Sequence, residues 1–459
     1  MRLSLLVLSS LALLCPLTSF ADRDPDCPAR AEADAVRAEF KWEIEGPAYS
    51  HCDLSNNGYR VVKALLLLKD IARDFDGSSP FGTSVIGTDP FAFVKERVRK
   101  IVVEAPSSRC DSPVHAEFEM PNLVRVFCRA GTTDILEIAS TLVHEARHNP
   151  EGRPGIFQHV ECTRGWNLQV SQDTCDASWG GSWSAEVEFL IGASRSRRTS
   201  ESERAQARKL AKEILIGQIN RPAGDLKQGA ALRGADGELY FYDGKQITEL
   251  ASSTPADSVM WLSIRGVEFV NSNGRVSTYV SKDQIIDAKI VNATKDLSES
   301  ESAKLTGYFQ FGRGAMQCAL LTDELICFGP RGEKKRMKIR GANAVGFMHV
   351  DESVRWFGAS SDGLMYVLTD DGKALPVPGW ANFGTFDDVA DFSARGAIKW
   401  HGTSLNPYML KLSLSGDLQL LEWRREPVPA PGVQGMKFTE IVGKTLWSET
   451  LEKLARGEL

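Results

Sequence analysis

The chain is poor in histidine, with 7 in 459 residues, so any ordered grouping of them carries information. It lacks other things too. No Cys-x-x-Cys spacing occurs, which removes the usual cysteine-based zinc sites. Gly180-Gly181-Ser182-Trp183-Ser184 lacks the Gly-x-Ser-x-Gly pattern of a serine nucleophile and reads as a turn and helix cap. Beyond the first residues no apolar run is long enough to cross a bilayer. Neither sign of charge dominates: 54 Lys+Arg against 60 Asp+Glu leave −6, which argues against nucleic acid as a partner.

At the N-terminus, Arg2, the apolar run Leu3 to Leu14, and Ser19-Phe20-Ala21 form a charged region, a short apolar core and a small-x-small cleavage site. Residues 1–21 are therefore expected to be a signal peptide cut after Ala21, and the mature protein to be secreted or periplasmic. Cys15 leaves with that peptide. The remaining eight cysteines form an even set, as an exported disulfide framework requires. Their spacing suggests pairing of sequential neighbours: Cys27 with Cys52, Cys110 with Cys128, Cys162 with Cys175, and Cys318 with Cys327.

What is present centres on Thr141-Leu-Val-His-Glu-Ala-Arg-His-Asn-Pro150. Upstream, Ile135, Ile138, Ala139 and Leu142 recur at helical spacing behind Asp134 as N-cap. On such a helix His144 and His148 lie one turn apart on the same face, which suits two ligands of one zinc ion. Glu145 points beside the pair, where it can take a proton from a water instead of binding metal. With His144-Glu145-Ala146-Arg147-His148 in place, the chain resembles the zincin metallopeptidases. The resemblance implies a zinc-dependent hydrolase acting on a peptide or protein substrate. Arg147 departs from that pattern, because the two residues between Glu and the second His are generally uncharged there.

Pro150, Gly152, Pro154 and Gly155 stop the helix and allow the chain to double back. His159 is then the next residue of a metal-ligand type after Glu151. The return resembles the metzincin arrangement, although Gly152 and His159 come later than in that pattern. Cys162, if bridged to Cys175, would pin the returning segment. The alternative third ligand is Glu186, on a segment starting at Ser182 that reads as helix, as in gluzincin-like zincins.

The chain is expected to divide into a zincin-like α+β domain over 22–222, a β-rich domain over 229–426, a Pro-rich linker over 427–435, and a C-terminal amphipathic helix over 436–459. In the β-rich part, Asp236 to Lys245 and Asp362 to Lys373 share a strand–turn–strand pattern, with fainter copies near Val267, Cys318 and Tyr408. Hairpins recurring about every 40 residues match a propeller repeat. The segment resembles a small, irregular β-propeller of about five blades, with a β-sandwich as the other possibility. The basic stretch Arg331 to Arg340 reads as an exposed edge strand. Two functions remain open. One is an exported zinc peptidase with Glu145 as general base. The other is a non-catalytic cell-envelope protein whose β-rich part binds a partner, with the zinc site structural or degenerate.

Overall fold

The computed structural model describes residues 24–45, 48–104, 116–119, 122–126, 134–149, 159–161, 173–220, 224–263, 266–290, 297–311, 316–321, 324–328, 334–338, 344–348, 356–360, 365–368, 374–376, 389–394, 409–413, 415–421 and 428–459. The expected signal peptide, Cys110, Cys128 and Cys162 lie outside them. Among the described residues no helix is long and apolar enough to cross a membrane.

The first part is helices on a small mixed sheet. In order come α1 (Arg30–Ala38), β1 (Lys41–Ile44), α2 (Asn57–Ile71), α3 (Pro90–Arg97), β2 (Lys100–Val103), β3 (Ala116–Glu119), β4 (Leu123–Val126) and α4 (Ile135–Arg147). A two-stranded ribbon, β5 (Val160–Glu161) with β6 (Asp173–Cys175), precedes α5 (Ser182–Arg195) and α6 (Glu201–Gly217). The sheet order is β1-β2-β4-β3, with β3 alone antiparallel to its neighbour. Local sequence explains the helix starts. Asp134 accepts from Leu136 N at 2.8 Å to open α4, Asp89 with Pro90 opens α3, and Ser200 with Glu203 forms a reciprocal capping box on α6. The apolar side of α4 (Leu136, Ile138, Ala139, Leu142, Val143) is buried in the common core with α2 and α5. This places the last turn of α4, carrying His144, at the edge of that core. Cys27 and Cys52 are disulfide-bonded.

The second part contains five four-stranded antiparallel sheets. The first holds β7 (Lys227–Gly234), β8 (Leu239–Tyr242) and β9 (Ile247–Ala251). The next is β10 (Ser258–Ser263), β11 (Gly266–Asn271), β12 (Arg275–Ser281) and β13 (Gln284–Ile290). A third contains β14 (Leu305–Phe311), β15 (Met316–Leu321), β16 (Glu324–Phe328) and β17 (Lys334–Lys338). Then come β18 (Ala344–Met348), β19 (Trp356–Ser360), β20 (Met365–Leu368) and β21 (Ala374–Pro376), followed by β22 (Val389–Ala394), β23 (Met409–Ser413), β24 (Leu418–Leu421) and β25 (Val428–Pro429). The fourth strand of the first sheet is supplied from the far end of the chain by β26 (Phe438–Trp447), which pairs with β7. Sheets meet through β26, β10, β14, β18 and β22, each touching the next and β22 touching β26. The sheets thus form a closed, propeller-like ring rather than two stacked layers. Half-buried Glu440 of β26 locks the seam: it pairs with Arg233 of β7 at 2.8 Å and accepts from Met260 N of β10 at 3.1 Å. Cys318 and Cys327 stand opposite each other in the β15–β16 register. Lys334 to Lys338 form the outer strand of their sheet.

Two expectations are corrected. Residues 436–459 are not one helix: β26 is followed by a short helix, Glu449–Arg456, capped by Ser448. Register shifts at Phe438/Glu440 and at Gly443/Thr445 break the two-residue alternation of β26. Phe438, Ile441, Val442 and Leu446 then fall at intervals that imitate a helix. Nor is 427–435 a free linker, because Val428–Pro429 pairs with β24 while Ala430 and Val433 are buried. The C-terminal helix returns to the first part, where Leu446, Leu451 and Leu454 join the core holding Ile214, Leu215 and Leu226.

Candidate metal centre

The last turn of α4 and the residue before β5 bring three imidazoles together. Nε2 of His144 lies 3.2 Å from Nε2 of His148 and 3.2 Å from Nε2 of His159. These three residues form a group able to hold a metal ion. Two nitrogens bonded to a tetrahedral zinc at about 2.0–2.1 Å stand roughly 3.3 Å apart, so the spacing fits that ion.

The opposite ring nitrogens fix which atoms face inward. Nδ1 of His144 lies 3.1 Å from Oε2 of Glu186, whose Oε1 accepts from Ser140 Oγ at 2.7 Å. Nδ1 of His148 lies 3.2 Å from Ser182 Oγ. Protonated Nδ1 atoms donating outward leave Nε2 lone pairs pointing at a common centre. Such lone pairs repel unless a proton or a metal cation lies between them. Burial, with His159 second, pushes the His144 pKa down to about 3, against an opposing pull from Asp176. A neutral imidazole is the form that binds metal.

Of the residues singled out in the sequence, His144, His148 and His159 therefore meet. Glu186 stands behind His144, on the nitrogen turned away from the other two rings. Glu145 is buried on α4 beside His144. Arg147 turns its guanidinium onto the carbonyl of Gly180, with Nε and Nη2 donating at 3.0 and 2.8 Å. It thereby ties α4 to the start of α5. Cys175 is disulfide-bonded, while its expected partner Cys162 lies outside the described residues.

Three participants went unseen in the sequence. Trp183 sets its ring 4.2 Å from that of His144 and stacks on His159 at 5.6 Å, forming an apolar wall. Ser140 supports Glu186 one helical turn before His144. Asp176 accepts from both N and Oγ of Ser184 at 3.0 Å through Oδ2. Gly181 permits this, because a Cβ there would collide with the Asp176 carboxylate. The positions of Ser140 and Glu186 on helical faces were a usable signal; nothing local marked Asp176.

Glu188, one turn beyond Ser184, accepts from Ser84 Oγ and from the backbone N–H groups of Val85 and Ile86. Burial raises its pKa, and those donors oppose the rise. It fixes the loop before α3 against α5.

No family model matches this chain, and no curated protein matches it. Among solved structures, virginiamycin B lyase from Staphylococcus aureus is 10% identical, covering 44% of this chain and 70% of that one at a TM-score of 0.23. PorZ, a surface component of the type-IX secretion system of Porphyromonas gingivalis, is 9% identical, covering 46% of this chain and 30% of its own at 0.23. Likenesses at this level carry no argument about activity.

Proposed function

We propose that this chain is an exported zinc-dependent hydrolase, most readily a peptidase of zincin type, with His144, His148 and His159 as the metal ligands. The observation that carries the reading is the convergence of three Nε2 atoms at zinc-like spacing, with outward partners for the Nδ1 atoms of His144 and His148. Bound there, zinc would supply Lewis acidity, making a water more acidic and polarising a scissile carbonyl. Glu145, adjacent to His144 on a rigid helix, takes the proton from the attacking water and delivers it to the leaving amine. Trp183 limits the space beside His144 and His159 and keeps that flank dry. Arg147 belongs to the framework of the site, because its charge is engaged by Gly180.

Glu145→Gln tests the mechanism. The variant is expected to keep about one zinc per chain by elemental analysis and to lose roughly 10²–10⁴-fold in peptide hydrolysis. Unchanged hydrolysis would remove Glu145 from the chemistry. A folded parent that takes up no zinc would remove the metal, and function would then be sought in the sheet ring.

A further inference from the structure

We propose that Asp176 is the positioning residue for the third ligand, His159, an assignment that rests on the zinc reading above. Unlike the other two imidazoles, His159 has a buried Nδ1 without a hydrogen-bond partner. The acceptor facing it is Oδ1 of Asp176 at 3.6 Å, within about 0.5 Å of hydrogen-bond range.

Asp176 is anchored from several directions. The aspartate is 3% exposed. Its N donates to Gln218 O at 2.8 Å, its carbonyl accepts from Asn220 N at 2.9 Å, and Oδ2 is engaged by Ser184. It follows Cys175, which is disulfide-bonded and pairs with Val160, the residue after His159. The ribbon thus delivers His159 and Asp176 to the same place from opposite strands. Oδ1 is left for the ring. A hydrogen bond from Nδ1 selects the tautomer whose Nε2 faces His144 and raises the basicity of that nitrogen.

The test uses the full chain and zinc itself. Affinity is measured by competition with a chromophoric chelator for the parent, Asp176→Asn, His159→Ala and the double variant, with thermal unfolding of each metal-free form. Asp176→Asn is expected to weaken zinc binding about 10–100-fold in the parent background and to add nothing once His159 is alanine. Parent-like affinity in folded Asp176→Asn, or an equal loss in both backgrounds, would overturn the assignment, the latter by revealing a general structural role. Should Asp176→Asn not fold, nitrogen-15 NMR of the zinc-loaded parent decides. A His159 Nδ1–H proton shifted far downfield and slow to exchange with water supports the bond to Asp176, and one that exchanges rapidly overturns it. Failure of the parent to bind zinc would sink the underlying reading, and the assignment with it, before any variant is compared.

Discussion

His144 is buried among groups that make its charged form unfavourable, and the buried carboxylate of Glu186 lies within hydrogen-bond distance of its Nδ1. Those two facts define what Glu186 does. Removing it as Glu186→Ala leaves Nδ1 of His144 without its acceptor, while the hydroxyl of Ser140 keeps the carbonyl of Glu137 at 3.0 Å. Zinc affinity is then expected to fall about 10–100-fold. Glu186→Gln, which keeps an acceptor oxygen, should recover part of that loss. Chelator competition on folded protein measures both, and equal affinity in the alanine variant would show the contact to be incidental.

A second buried charge makes a prediction about pH. Lys212 of α6 donates to the carbonyls of Tyr279 and Val280 in β12, opposite Glu452 of the C-terminal helix. Glu452 in turn accepts from Tyr279 Oη at 3.0 Å and Lys282 N at 2.8 Å. Burial lowers the Lys212 pKa from 10.5 to about 8, with Glu452 and Glu213 pulling the other way. Between about pH 8 and 10.5 the unfolded chain therefore holds a proton that the folded chain has released. This group makes stability rise with pH across that window, and below it the penalty is constant. Lys212→Met should lack this contribution. Urea unfolding of both proteins at several pH values checks it: the parent must gain on the variant as pH climbs through the window.

Among the elements, α4 and α5 were legible because their signals are local. Asp134 stands one residue before an apolar stripe, and Ser182 opens a second helix behind a Gly-Gly turn. Hairpins such as Asp236 to Lys245 were legible from turn residues at fixed offsets. The ribbon β5–β6 was not, since two- and three-residue strands leave no periodicity and their pairing is decided by tertiary contacts. For the same reason the meeting of His159 with Asp176 could not be read: many residues separate them, and the register of the ribbon chooses the partner. β26 was misread because its two irregularities replace an alternation of two with one near 3.6. The short helix after it contributes Leu454, fully buried in the core of the first part. Leu454→Ala is expected to cost about 2–5 kcal/mol in urea unfolding, as for other buried leucines. A cost under about 0.5 kcal/mol, the range of ordinary surface substitutions, would mean that the helix is not anchored there.

Considered as one molecule, the helical part and the ring share more than a boundary. β26 completes the first sheet, and the residues directly after it complete the helical core. Lys212, Tyr279 and Glu452 add a polar contact where α6, the ring and the C-terminal helix meet. The two parts are therefore expected to unfold together. Tryptophan fluorescence, which includes Trp183 beside the histidines, and far-ultraviolet circular dichroism should give coincident urea transitions with disulfides intact. Two separated transitions would show independent parts.

The position of β26 also sets an order of events during synthesis. A chain emerges from its N-terminus, and domains ordinarily fold as they appear. Here the strand that seals the ring and the leucines that finish the helical core are made long after the segment carrying the three histidines. The segment carrying the three histidines is made long before its surroundings can close. If the group is hydrolytic, its maturation waits for β26 to be made, and a product truncated before that strand would carry the histidines without the finished core that supports them.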